Sequence, residues 1–182
     1  MRLRRAPLTA AAGALALSAC SPDYNWREIR PAGGDYHVML PARPASMSRP
    51  IDLDGLAVTM TMNGARVGAY RFTVGAVVLP DAEPATRARA GAAMRAAMVR
   101  NIAGRETALA EVQVPVLDRA GRATATQAAL RIEAAGRVDG KPAHMTAQFA
   151  VRGARAWQAV VIGPAPDPGP TQQFLDSLRI VE

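Results

Sequence analysis

Asp54-Gly55-Leu56-Ala57-Val58-Thr59-Met60-Thr61-Met62-Asn63-Gly64 opens the stretch that decides the fold, and Tyr70-Arg71-Phe72-Thr73-Val74-Gly75-Ala76-Val77-Val78 completes it. Leu56, Val58, Met60 and Met62 alternate with Ala57, Thr59, Thr61 and Asn63. Asn63-Gly64 reads as the turn after that strand, and a longer run follows with Tyr70, Phe72, Val74, Ala76 and Val78 on one face. A period of two is the mark of a β-strand, because successive side chains leave opposite faces of the pleat. Asp54-Gly55 is a hairpin signal, since both residues accept the left-handed backbone of a tight two-residue turn.

Working outward, the same period continues. Upstream, Tyr36, Val38 and Leu40 alternate with Asp35, His37 and Met39 until Pro41, and Met47, Arg49 and Ile51 lead into the Asp54-Gly55 turn. Downstream, the pattern changes. Residues 83–103 read as one long helix, with Pro84 in its first turn, Gly104 past its end, and Ala90, Gly91, Met94, Ala97, Met98 and Ile102 on one face. Arg87 falls on that face in an early turn, where its stem can snorkel outward. Alternation then returns at Val112–Val116, Ala128–Ala134, Ala143–Val151 and Trp157–Val161, with Asp118–Arg122, Asp139-Gly140 and Gly153 as turns. After the loop Gly163–Pro170, residues 171–177 form a short helix and Leu178–Val181 a last strand. Strands segregated from helices predict an α+β domain, a twisted antiparallel sheet of about 7–9 strands carrying those two helices. One amphipathic helix cannot cover so wide a sheet, so strong twist or a second cover is required.

The ends of the chain differ from its middle. Arg2, Arg4 and Arg5 precede the apolar run Leu8–Ala19, the charge and hydropathy order of a secretory signal. That run is too short to span a bilayer as a helix, which takes about 20 residues. The expected organisation is a leader over 1–19, a modified cysteine and short tether over 20–34, and one domain over 35–182. Without its leader the chain has 163 of its 182 residues and 19 basic against 15 acidic groups. Arginines such as Arg71, Arg131 and Arg152 alternate with apolar residues and read as a solvated face. With no basic run and no basic–aromatic platform, nucleic acid is not an expected partner.

Leu17-Ser18-Ala19-Cys20 resembles the lipobox of bacterial lipoproteins. The resemblance implies cleavage between Ala19 and Cys20 and a diacylglycerol and acyl chain (palmitate or similar) on Cys20, two or more chains being what a stable anchor needs. Cys20 is the chain's one cysteine, and lipidation accounts for an otherwise odd thiol in an oxidising compartment. Ser21 lacks the aspartate that retains enterobacterial lipoproteins on the inner membrane, so the outer membrane, periplasmic face, is the expected address. Tyr24 and Trp26 in the tether are candidate contacts for headgroups or a partner, or else pack on the domain edge.

Tyr36-His37-Val38-Met39-Leu40-Pro41 with Pro44 resembles the opening of PsbP-like and DcrB-like domains. Phe174-Leu175-Asp176-Ser177-Leu178-Arg179-Ile180 is similar to their closing helix-to-strand, with Leu178 where phenylalanine is common. The resemblance implies a PsbP-like sandwich and a non-catalytic binding or assembly module; it assigns no functional residue.

No catalytic or metal-binding constellation is visible. His37 and His144 lie on the polar sides of their strands, and a zinc site needs three or four ligands. Asp54 and Asp139 are explained by Asp-Gly turns, and Asp52 sits near one of them. Glu106 and Glu111 read as solvated, and Met60, Met62, Met94, Met98 and Met145 as core. No cofactor, metal or catalytic residue is expected. Three functions compete. The first is an envelope lipoprotein that binds an envelope protein through a sheet edge or the loop Gly163–Pro170. The second is a lipoprotein holding a small apolar or lipid molecule in a pocket lined by Met60, Phe72, Met94 and Met98. The third is a periplasmic hydrolase, the least favoured. For the address itself, Cys20→Ala is expected to move the protein from the membrane to the soluble fraction, read by fractionation and by the mass of the mature N-terminus.

Overall fold

A computed structural model describes residues 24–182. Its strands are β1 (Arg27–Ile29), β2 (Tyr36–Leu40), β3 (Ala45–Asp52), β4 (Ala57–Val67), β5 (Tyr70–Val78), β6 (Arg105–Leu117), β7 (Ala123–Val138), β8 (Lys141–Arg152), β9 (Arg155–Gly163) and β10 (Arg179–Val181). Its helices are α1 (Pro84–Asn101) and α2 (Pro168–Asp176). Two of the expected hairpins close as the turn chemistry dictates. Asp54 and Gly55, like Asp139 and Gly140, carry positive φ; Asp139-Gly140 joins β7 to β8 directly, and Asp54-Gly55 is the tip of the β3–β4 connection, closed by the reciprocal backbone hydrogen bonds of Leu53 and Leu56. Asn63-Gly64, by contrast, runs through the middle of β4; the β4–β5 turn falls at Gly68-Ala69, where Gly68 has φ +55°.

The expected α+β sandwich of about 7–9 strands is not what forms. Strand makes up 56% of the described residues and helix 17%, and the ten strands join one curled half-barrel. Their order is β1-β2-β10-β6-β7-β8-β9-β5-β4-β3. All neighbours are antiparallel except β10 with β6. The tenth strand, β1, comes from the segment read as a tether: Arg27–Ile29 pairs with Val38–Leu40, so that segment is domain from Tyr24 onward.

The order explains why a sandwich fails. β2 and β3 follow one another in the chain, yet β3 is an edge strand and β2 lies next to the opposite edge. Only Pro41-Ala42-Arg43-Pro44 joins them, and five residue steps span at most about 17 Å. The sheet must therefore curl until its two ends nearly meet. Inside the curl, Tyr36, Val38 and Leu40 of β2 pack with Phe72, Val74, Trp157, Ala159, Val161, Val116, Ile180, Phe174 and Leu175. Two buried hydrogen bonds stitch the ends: Asn63 Nδ2 donates to Tyr36 Oη at 3.0 Å, and Trp157 Nε1 to the Gly34 carbonyl at 2.9 Å. A Cβ on Gly34 would lie 2.8 Å from the Tyr36 ring, so this crossing requires glycine. Interior space is filled from within, and no second layer covers that face.

The outer face holds a separate core under α1. Ala90, Met94, Met98 and Ile102, one helical stripe, pack with Ile132, Ala134, Met145, Ala147, Phe149, Ala156 and Val160. The helix lies over β7, β8 and β9. Its last turn presses close to the sheet: Arg137 N donates to the Ile102 carbonyl at 2.6 Å, and a Cβ on Gly136 would fall 2.2 Å from that same oxygen. Arg95 and Glu106 form a two-armed ion pair, Nε to Oε1 at 2.7 Å with Nη2 to Oε2 as the second arm, so Glu106 fastens α1 to β6 instead of facing free solvent.

Burial pushes the Tyr36 phenol up to about 12, partly offset by the Asn63 hydrogen bond. An acid whose pKa is raised on folding stabilises the fold fully below its unfolded value, near 10, and loses that contribution as pH rises toward 12. The denaturation midpoint is expected to drop between pH 10 and 12, and less steeply in Tyr36→Phe; equal slopes in the two proteins would contradict this assignment.

Candidate functional site

One helix about 10–12 Å across covers little more than two strands spaced 4.8 Å apart. The outer face spans β7, β8, β9, β5, β4 and β3; α1 packs mainly on the first three, its Met94 and Met98 reaching the edge of β5 and β4 at Val77 and Met60. The uncovered half forms the floor of a cleft of about 370 Å³. That volume is within the range of small-molecule sites. Met60 and Met62 of β4, Thr73 of β5 and Val160 and Ile162 of β9 line the floor. Met94, Ala97, Met98 and Asn101 of α1 form one wall. Ile51 and Leu53, from the β3–β4 hairpin, line it as well, and Leu53 belongs to the same buried cluster as Met94 and Met98.

The lining is methionine-rich because strand and helix stripes meet there. Methionine is unbranched and polarisable, and it re-packs around irregular shapes at low cost. Two amide side chains sit among these thioethers: Asn101 Nδ2 donates to Met98 Sδ at 3.6 Å, and Gln158 lies deeper. Gln158 of β9 is 6% exposed, and its Nε2 donates only to sulfur, Met98 Sδ at 3.4 Å and Met60 Sδ at 3.7 Å. Thioether sulfur is a weak acceptor, so this buried amide is poorly satisfied by the protein alone. Gly75, its partner across β5 and β9, makes the arrangement possible: a Cβ there would lie 2.9 Å from Met60 Sδ and 3.2 Å from Gln158 Cγ.

Arginines stand at the rim. Arg49 and Arg71 line the cleft, and Asp52 is the one carboxylate in its lining. The Asp52 carboxylate accepts the Gly55 N–H at 2.7 Å. Arg71 faces Arg66 directly across the β4–β5 pair. Among the described residues, Arg49, Arg66 and Arg71 have no ion-pair partner.

The other residues singled out from sequence fall elsewhere. Ala19 and Cys20 lie outside the described residues. Tyr24 and Trp26 stack with centroids 5.8 Å apart and meet Phe72 edge-on; Tyr24 Oη also donates to Asp167 Oδ2 at 2.8 Å. Both therefore help to fill the mouth of the curl. Phe72, expected in the pocket with the methionines, faces the interior of the curl and is absent from the cleft lining. The period-two register places Phe72 and Met60 on opposite faces: Phe72 pairs with Ala65, five residues and so one face-change away from Met60. Arg131, expected on a solvated face, is held by Gln148 Oε1 at 3.0 and 2.7 Å and by Asp176 Oδ1 at 2.6 Å, which ties α2 to β7 and β8. Arg152 likewise pairs with Glu182. Arg87, expected to snorkel outward, keeps its Nε buried with no hydrogen-bond partner among the described residues. His37 lies 3.9 Å from Glu28; burial first and then Arg30 lower its pKa. His144 borders a shallow pocket beside α2 and the Pro166–Pro168 loop. Among the described residues, no three His, Cys, Asp or Glu side chains gather as metal ligands would, and no helix is long and apolar enough to cross a membrane.

No family model and no curated protein matches the chain. A solved structure of a protein of unknown function from Pseudomonas aeruginosa, PA94, described as a candidate regulator, is similar over 81% of this chain and 88% of its own, at 11% identity and a TM-score of 0.38. A likeness at that level carries no inference about function.

Gln158 contributes little to stability if sulfur is its only partner, because removing a poorly satisfied buried amide together with its desolvation cost is close to neutral. Gln158→Leu is expected to change the unfolding free energy by less than about 1 kcal/mol in either direction, measured by denaturant titration. A loss of several kcal/mol would make Gln158 a structural residue.

Proposed function

We propose that this is a lipid-anchored envelope protein whose domain binds a small, largely apolar molecule in the cleft beside α1. The observation that supports it is the uncovered, methionine-lined half of the outer sheet face, with Met60, Met94 and Met98 around one cavity. The interior of the curl is filled, whereas this face has apolar floor and no cover. A largely apolar lining with a few polar side chains, here Thr73, Asn101 and Gln158 with charges at the rim, is the usual make-up of a ligand site, and it favours small-molecule binding over the assembly role. Binding here needs no nucleophile and no general base.

The anchor fits such a role. Tyr24 is fixed to Asp167 and Phe72, so only four residue steps separate it from Cys20, at most about 14 Å of chain. A tether through residue 34 would allow a loose, distant domain; this one holds the domain against the bilayer surface, where amphiphiles are concentrated. A protein-binding reading retains one specific support. β3 is an edge strand, exposed along nearly all its length, with Met47 56% exposed, and such an edge can accept a partner strand.

The test uses the whole mature chain carrying Cys20→Ala, purified without detergent, and the neutral fluorescent probe N-phenyl-1-naphthylamine. Saturable binding with a strong rise in fluorescence is expected. Ala97→Trp, which fills the wall of the cleft from a half-exposed helix position, is expected to weaken probe binding at least tenfold with a melting temperature within a few degrees of the parent. Absence of saturable binding, or full binding by the Trp variant, would remove the cleft as the site.

A further inference from the structure

The rim arginines assign a chemical class to the ligand, on the reading that the cleft is a binding site. We infer that it takes a single-chain amphiphile with an anionic head: the chain lies along the methionine floor, and the head sits at Arg66 and Arg71. The two residues are directly opposed on β4 and β5. Side chains in such a pair leave the sheet about 4.5–5.5 Å apart, and like charges placed so repel. Neither has an ion-pair partner among the described residues. Opposed cations, one of which (Arg71) lines the cleft while the other (Arg66) stands beside it on the same sheet face, are what an acidic headgroup would neutralise.

Arg49 and Asp52 both border the cleft toward the β3–β4 hairpin, with no ion pair between them. Arg71 borders the cleft with no carboxylate beside it in the lining. Along the strands, Arg49 stands in the row of Met60 and Val77, and Arg71 is six residues further along β5, about 20 Å at strand rise. The apolar floor between those rows is long enough for an extended acyl chain. Gln158, midway along β9 between Arg155 and Ile162, offers its underused amide to a polar group on that chain or to a water.

The experiment is displacement of N-phenyl-1-naphthylamine from the mature Cys20→Ala chain at low ionic strength, where exposed charges act over longer range. Dodecanoate is compared with dodecanol, which has the same chain and no charge. Dodecanoate is expected to displace the probe at about a tenfold lower concentration, which corresponds to about 1.4 kcal/mol. In the double variant Arg66→Gln, Arg71→Gln the two competitors are expected to become equal, each displacement being scaled to the probe affinity measured for that same variant. The double variant without ligand is expected to melt at the parent's temperature or higher, because a repulsive pair has gone. Equal competition in the parent, or a preference that survives in the double variant, overturns the assignment. A double variant that melts several degrees lower makes the pair structural and overturns it too. Failure of the probe itself to bind is a different result: it removes the cleft reading on which this inference rests.

Discussion

Four residues, Pro41 to Pro44, set the shape of this molecule. They join strands that belong near opposite ends of one ten-stranded sheet, so the sheet has to bend round on itself. The bend is held by contacts that cross it: Tyr36 to Asn63, Trp157 to Gly34, and Arg155 to both the Asp35 carboxylate at 2.8 Å and the Gly33 carbonyl at 2.9 Å. Both prolines favour extended backbone for themselves and their neighbours, which suits a short bridge with no slack.

From that bend follows an unequal treatment of the two faces. The inner face needs no cover, because the curl brings β2, β10 and α2 against β5 and β9. Tyr24 and Trp26 complete it from the chain's beginning. The outer face has to be covered from outside, and the sequence supplies one helix of 18 residues for the purpose. Hydrophobic burial is proportional to area covered, and an element about two strands wide leaves the rest of a six-strand face with no helix directly over it. The cleft is thus a geometric remainder, and its lining is apolar because it continues the same buried stripe of strand residues. The proposed ligand would supply the cover that the chain lacks.

The local elements were legible in the sequence. Alternation at Tyr36–Leu40, Leu56–Met62 and Ala143–Val151 placed strands correctly, and Pro84 and the Ala90–Met94–Met98–Ile102 stripe placed α1. Those signals are short-range, set by pleat and helical period. What was misread depended on distant partners. Arg27–Ile29 has no pattern of its own and becomes a strand only because β2 offers an open edge. Asn63-Gly64 looks like a turn but sits where Gly64 passes within 2.8 Å of the Phe72 carbonyl, measured from a Cβ it does not have. Phe72 and Met60 read as one pocket until register puts them on opposite faces.

Read alone, the amino-acid sequence fixes that the chain is built of alternating strands and where its two helices fall, because each of those rests on neighbours within a few residues. Tertiary structure alone decided that ten strands make one curled sheet, that Arg66 and Arg71 oppose each other, and that Gln158 lies among methionines beside an open cleft. Those facts require residues far apart in the chain to meet, as Arg179 and His37 do across β10 and β2, and strand order is settled by the total fit of both faces, a quantity that no local period encodes.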